Sequence, residues 1–428
     1  MWRCRSRETF PHSASLLAPL CVHSYLILLL FQIPLHYKTP VKRTPPQRRE
    51  RMQRHHHAPT LAPSRQRQLG LDVARALALF GIMGNHLLGV NNWPSAAAVW
   101  IMSDYHAVIF AVLIGCGVQL ELDAARRRQR SPLRNVLIRG TFLIFLGFGL
   151  GIVIENVAVI LVTLGMLTVV AHFAARLRTP AFSALATLTF LVGPLLTIYN
   201  RAHGWSPQLM NPEPRDFAHP LTSVTSLLVA DPYPFLAWVT YALVGIAYVR
   251  WVVSRHANLL AVMGISVVVF VAAKLVSAWL AASTPVVVSL TETVGYTGSY
   301  LNLVCSTAMS VFIIAACSYL VEIFPRGRML PAGSRARART WVGHQLLPTF
   351  AAAGQLTLTW YVAHLLVSDP IIPILEALPP AWRYGDFGVW AIQILVVLVG
   401  SAWHRRHYQY GPLEAIPRQV AKRLPAAR

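Results

Sequence analysis

Ten apolar runs, each close to bilayer-crossing length, constrain this chain more than any other feature of its sequence. They lie at roughly 69–90, 98–121, 134–154, 156–175, 181–200, 233–252, 258–282, 300–322, 350–372 and 385–403. A helix needs about 20 apolar residues to cross the hydrocarbon core. Inside lipid, every backbone polar group must be satisfied within the protein, so such runs read as helices. A barrel strand needs only about half that length. The composition agrees: charged residues make up 13% of the chain, against about 25% in ordinary soluble domains. The expected fold is all-α, a polytopic helical membrane protein with about ten spans.

The formal net charge is +22 over 428 residues, a balance that in a soluble chain would suggest nucleic acid. Here the basic residues stand in short segments between apolar runs, which excludes that reading and follows the positive-inside rule instead. Arg126, Arg127, Arg128, Arg130 and Arg134 follow the second run, and Arg176 and Arg178 the fourth. Arg250, Arg255 and His256 follow the sixth, Arg326 to Arg339 the eighth, and Arg405 and Arg406 the tenth. The alternate connections carry few net positive charges. Both termini are therefore expected in the cytoplasm, and the protein is expected in the cell (inner) membrane, in contact with its lipids.

Four regions follow. Residues 1–51 hold Arg3, Arg5 and Arg7, an apolar stretch from about Leu16 to Leu35, and a basic Pro-rich segment. No small-residue cleavage site follows that stretch, as a signal peptide requires. Residues 1–51 read as an extra hydrophobic segment or as an extension upstream of a start at Met52. Residues 52–68 form a basic tail containing His55, His56 and His57, residues 69–404 the ten-span domain, and residues 405–428 a second basic tail. Cys4, Cys21, Cys116, Cys305 and Cys317 show neither metal-ligand spacing nor a disulfide framework, and no metal is expected.

Ionisable groups inside hydrocarbon-length segments are costly and by default mark a site. The first span carries Asp72, Arg75 and His86, which with Leu79 and Ile82 recur at three- and four-residue steps on one helix face. Arg75 and His86 are separated by roughly 16 Å along it, at 1.5 Å per residue. The second span opens with Asp104 and His106, and His364 lies in the outward half of the ninth, with Asp231 just before the sixth. The alternating topology puts these on the outer side and Asp72, Arg75 and Arg139 on the cytoplasmic side. Each has a plainer reading: His364 as a helix-packing histidine, Arg139 as an interface arginine, Lys274 as a snorkelling lysine, Trp238 and Trp360 as packing aromatics. Gly115, Gly117, Gly147, Gly149 and Gly151 read as points of close helix approach. No glycine series resembles a phosphate-cradling loop after a strand.

An ordered set of motifs resembles the YeiB-like integral membrane family, a relative of the heparan-alpha-glucosaminide N-acetyltransferase catalytic domain. Leu71-Asp72-Val73-Ala74-Arg75 through Gly84-Asn85-His86 resembles its opening LD-x-x-R…H helix. Asp104-Tyr105-His106 through Gly115 resembles DGR…LFxxLxG, and Val157 to Leu161 the start of its fourth span. Tyr233-Pro234-Phe235-Leu236-Ala237-Trp238 through Gly245 resembles YPxLxWxxYxLxG. Ala353-Gly354-Gln355 through His364 resembles AGRxxLTxYxxH, and Gly411-Pro412-Leu413-Glu414 the closing GPLE. Together they cover about residues 69 to 416.

What the resemblance implies is acyl transfer in a membrane, from cytoplasmic acyl-CoA (acetyl-CoA foremost) to a cell-envelope glycan or lipid-linked sugar. His86 occupies the position of the family's central histidine. An imidazole can take a proton from the acceptor or carry the acyl group itself, and Asp104 is the candidate to orient it. Asp72, Arg75, His106, Arg139 and His364 are candidates for donor or substrate binding, the arginines because guanidinium suits phosphate oxygens. Two positions depart from the family: His106 stands for the Arg of DGR, and Gln355 for the Arg of AGR. A small-metabolite transporter using the same polar seam is the rival reading, although no internal repeat favours it. Assembly as a homo-oligomer stays open.

Overall fold

The computed structural model describes residues 63–88, 105–230, 232–324, 342–377 and 385–424. Residues 1–62 with Met52 and His55 to His57, Asp104, Asp231 and the Arg326 to Arg339 cluster lie outside the described residues.

Among the described residues every regular element is helical. The helices that cross between the two ends are α1 (Pro63–Leu87), α2 (Tyr105–Arg127), α3 (Leu133–Gly151), α4 (Leu161–Ala174) and α5 (Thr179–His203). After a short α6 (Pro220–Val229) come α7 (Phe235–Tyr248), which continues as a π-turn over Val249–Val253, and α8 (Leu259–Leu280). A short α9 (Pro285–Thr291) precedes α10 (Tyr300–Ile323). Then follow α11 (Leu347–Gln355), α12 (Thr357–Glu376), α13 (Gly385–His407) and α14 (Pro412–Arg423). Eight of the described helices are long and apolar enough to span a membrane. The protein is an all-α, multi-pass membrane protein.

Burial sorts the helices into two layers. The apolar windows of α2 and α7 are 61% buried, whereas those of α3, α5 and α8 are 22% buried. Ala74, Ala76, Ala78 and Leu79 of α1 are fully buried, and α1 packs against α2, α10, α11, α12 and α13, so α1 is the central post. Outside, Ile265, Val268, Leu275 and Trp279 of α8 and Leu188, Leu191 and Leu195 of α5 are exposed. An apolar face of that extent is what a helix in lipid presents, because lipid tails rather than water are its solvent.

Small residues set the closest crossings. A Cβ at Gly115 would lie 1.9 Å from the Ala242 carbonyl oxygen, and one at Gly245 would lie 1.9 Å from that of Val112. The backbones of α2 and α7 therefore touch, and the Cys116 thiol donates to Gly245 O at 3.3 Å. Gly140 and Gly165 bring α3 and α4 together in the same way. Gly147 meets Val162 and Gly151 meets the Pro212 carbonyl. Gly149 faces open space, and Gly117 meets no more than the Arg75 side chain at 3.6 Å, so neither makes the close approach expected of it.

The basic loops gather at one end. The Arg250 guanidinium donates to the carbonyls of Ala175 and Leu177 at the end of α4 and to Gln119 of α2. Arg134 donates to Leu424 O, and Arg405 to Pro348 O. The Ala175 and Leu424 carbonyls stand at the C-termini of α4 and α14, where the helix dipole favours a cation, whereas Pro348 is in the first turn of α11.

Two expected spans are corrected. The ninth run is two helices, α11 and α12, broken at Leu356. The fourth is a helix only from Leu161, and residues 152–160 before it are non-helical. That segment is long enough to need its own hydrogen-bond partners, and side chains supply them. Asp369 accepts from the amides of Glu155 and Asn156 at 3.0 and 2.7 Å. Asn211 accepts from Val159 N at 2.7 Å and donates to the carbonyls of Ile154 and Val157 at 2.8 and 2.9 Å. Tyr361 accepts from Ile160 N, and the Tyr233 hydroxyl donates to Ala158 O, both at 3.4 Å. Proline explains one further bond. Pro373 has no N–H to give the Asp369 carbonyl one turn back, and the Asn156 amide donates to that oxygen at 3.1 Å instead. Irregular backbone at membrane depth persists only when protein covers it; here α12 and the loops holding Asn211 and Tyr233 do.

Candidate functional site

The stripe read from the first span meets α11 at Asp72 and α12 at His86, and its two ends hold different chemistry. At the basic end, Asp72 and Arg75 form an ion pair one turn apart. The Gln355 amide at the end of α11 donates to the other Asp72 oxygen at 2.9 Å. A Cβ at Gly354 would lie 1.8 Å from the Asp72 carbonyl oxygen, so α11 reaches Asp72 because that residue is glycine.

At the far end of the stripe stands a histidine pair. The rings of His86 of α1 and His364 of α12 lie nearly parallel, 9° between planes, with centroids 5.2 Å apart. Their nearest nitrogens, His86 Nδ1 and His364 Nε2, are 2.9 Å apart, within hydrogen-bond distance. His364 is buried at 3% exposure, while His86 keeps partial exposure. The other nitrogen of His364, Nδ1, lies 2.7 Å from Gln393 Oε1 and 2.9 Å from Ser368 Oγ. The Gln393 amide donates to Ser368 Oγ at 3.2 Å, which closes the group. Next in the chain, Asp369 holds the 152–160 segment.

α13 is fixed so that Gln393 arrives at this place. One turn earlier, Trp390 Nε1 donates to the Phe80 carbonyl of α1 at 3.0 Å, and two turns later Ser401 accepts from Trp360 Nε1 at 2.8 Å. A helix that presents polar groups to one neighbour and apolar ones to lipid has a single rotational setting, which these bonds enforce.

The remaining candidates are dispersed. His106 lies against a different face of α1, where a Cβ at Gly81 would fall 2.0–2.2 Å from its ring, and its nitrogens find no hydrogen-bond partner among the described residues. It is not brought to the histidine pair. Arg139 pairs with Glu121 of α2 at 3.0 Å, which ties α3 to α2. Lys274, read as a snorkelling lysine, instead donates to the Thr293 carbonyl and hydroxyl at 3.0 and 3.1 Å. Trp238 packs edge-on against Tyr233 and Tyr241, as the packing reading expects. Asp104 lies outside the described residues.

The sequence reading missed Gln393, Ser368, Asp369, Asn211 and Tyr361. Four of these carried a signal. Gln393 is an amide inside an apolar run, Asp369 an ionisable group inside the ninth run, Tyr361 the tyrosine of the AGRxxLTxYxxH resemblance, and Ser368 stands four residues after His364, hence on the same helix face. Asn211 lies in a polar connection where nothing distinguished it.

Motifs far apart in the chain meet here. Gly354 and Gln355 touch Asp72, His364 meets His86, and Tyr361 and Tyr233 hold the segment from Ala158 to Ile160. Glu414 accepts from the Thr359 amide and hydroxyl at 3.0 and 2.6 Å. Chemically, the arrangement offers a paired, partly buried imidazole base at one end and a carboxylate–guanidinium–amide group at the other. Against known proteins, the chain matches no family model and no curated relative.

Proposed function

We propose that this protein is a membrane-bound acyltransferase that moves an acetyl or other acyl group from acyl-CoA to a glycan or lipid-linked sugar. One observation carries the reading: a half-buried imidazole, His86 in the last turn of α1, bonded at 2.9 Å to a second imidazole with its own polar support on α12, a helix long and apolar enough to span a membrane. Such a group is expensive to bury, and proton transfer at a hydroxyl or amine is what an imidazole does best near neutral pH. The contacts among the motifs of the YeiB-like resemblance support the same reading.

In the proposed reaction His86 takes the proton of the acceptor hydroxyl as its oxygen bonds to the acyl carbon. The carbon–sulfur bond of the thioester breaks, and the CoA thiolate leaves with the proton from His86. Arg75, at the basic end and held by Asp72, is the donor-side cation; the roughly 16 Å between it and His86 is the distance the donor's arm has to cover. Gln355, at the place of the family arginine, contributes hydrogen bonds but no charge.

Transport is the second reading, favoured by the non-helical segment 152–160 and the break at Leu356, since unwound helices mark substrate sites in transporters. Sealed inverted vesicles given acetyl-labelled acetyl-CoA separate the two. The acyltransferase reading expects label on an envelope glycan or lipid, lost in His86→Ala. Saturable uptake of a metabolite without CoA release, with no label transferred by folded protein, would replace it with transport.

A further inference from the structure

Resting on the reading of His86 as the reacting base, we infer that Gln393 is a positioning residue whose amide holds His364 and His86 in one tautomer and leaves His86 Nε2 as the proton acceptor. The argument is one of counting hydrogens. A neutral imidazole has one N–H and one lone pair. The Gln393 Oε1 atom has no hydrogen, so its 2.7 Å contact places the hydrogen of His364 on Nδ1. His364 Nε2 then carries a lone pair, and the 2.9 Å contact places the hydrogen of His86 on Nδ1. His86 Nε2 is left with a lone pair.

In this structure the Gln393 amide turns Oε1 to His364 Nδ1 at 2.7 Å and Nε2 to the Ser368 hydroxyl at 3.2 Å, and Ser368 Oγ lies 2.9 Å from the same His364 nitrogen. The reverse amide orientation reverses every hydrogen in the row and leaves His86 Nε2 as a donor, unable to take a proton. The orientation of one amide, on α13, thus separates a base from a non-base. This is the role a buried carboxylate has in a Ser-His-Asp triad, where it fixes tautomer and orientation. Here a neutral amide does it through an intermediate imidazole, at no cost of burying a charge.

During transfer, His86 Nε2 takes the acceptor proton and the ring becomes cationic. Its Nδ1–H then faces the lone pair of His364 Nε2, which stabilises the charge until the proton leaves with the thiolate. Gln393 touches neither substrate. Its loss leaves the Trp390–Phe80 and Trp360–Ser401 bonds, which hold α13 in place.

The test uses the full-length protein in lipid bilayers with histidine labelled at both ring nitrogens, the His86 signal being assigned by its absence in His86→Ala. Solid-state nitrogen spectra distinguish N–H from lone-pair nitrogens. The expected wild-type spectrum shows His86 with hydrogen on Nδ1 and a lone pair on Nε2. Gln393→Leu mixes the two tautomers, and Gln393→Glu, which keeps an acceptor oxygen at His364 Nδ1, retains the wild-type pattern. In acyl transfer, Gln393→Leu lowers kcat about 100-fold with the donor KM unchanged, a loss of the size a displaced general base gives, and Gln393→Glu restores most of it. A hydrogen on His86 Nε2 in the wild type would overturn the inference. So would a Gln393→Leu variant with unaltered spectrum and kcat. The spectrum does not depend on turnover: the expected tautomers in a protein that transfers no acyl group would leave the inference standing and remove the functional reading. Transfer that needs His86 but ignores Gln393 would do the converse.

Discussion

Gln355 shows how one side chain can set what a site binds. Its amide shares Asp72 with Arg75, at the place where the motif it resembles carries arginine. Replacing it by arginine would add a second guanidinium beside Asp72, and one carboxylate cannot neutralise two. The surplus charge is then available to an anionic donor. Gln355→Arg is expected to lower the KM for acyl-CoA about tenfold, the worth of one hydrogen bond to a charged group, with kcat unchanged, because binding far from the reacting atoms acts on ground and transition states alike. Steady-state kinetics against acyl-CoA concentration checks this; an unchanged KM would remove the Asp72 end from the donor site. His106 teaches the opposite lesson. It was legible in the sequence as an intramembrane histidine, yet it fills the gap opposite Gly81 on another face of α1, and helical periodicity within one span could not say which neighbour each face meets.

At the scale of elements, the segment 152–160 depends on side chains distant in the chain. Asn211 alone satisfies Val159 N and the carbonyls of Ile154 and Val157. Removing it strands three backbone groups, each worth about 1–3 kcal/mol when buried without a partner. Asn211→Ala is expected to lower stability by on the order of 3 kcal/mol, read as a drop in unfolding midpoint in detergent, and to weaken acyl transfer through movement of the Asp369 end of α12. A midpoint equal to that of wild type would show that the segment is held by something else. None of this was legible beforehand. Hydropathy reports that residues 156–175 are apolar, which is true of an extended segment buried in protein as much as of a helix. The break at Leu356 was hidden for the same reason, since the run on both sides is apolar and no proline or glycine pair marks it. The existence of α1, though not its start at Pro63, the basic loops and the face of Asp72, Arg75 and His86 were legible, because they rest on charge placement and on a helical period that packing does not alter.

Over the whole molecule, a buried post, α1, carries one polar stripe from the basic end to the histidine pair, and the outer helices turn apolar faces outward. The partners of Asp72 and His86 come from the last third of the chain: Gln355, His364 and, through His364, Gln393. Such long-range pairing explains why the candidates on α1 were visible in the sequence and their partners largely were not. It also makes the pair a unit, and residues that act as a unit are non-additive when removed. The measurement that tests the central claim most directly is transfer of labelled acetyl from acetyl-CoA, supplied to the basic-loop face of inverted vesicles. Wild type is compared with His86→Ala, His364→Ala and the double variant, each confirmed as folded. The account predicts transfer in the wild type, a loss of about 100-fold or more in His86→Ala, a smaller loss in His364→Ala, and a double variant no worse than His86→Ala. Equal transfer by wild type and His86→Ala, or losses that simply multiply in the double variant, would contradict it.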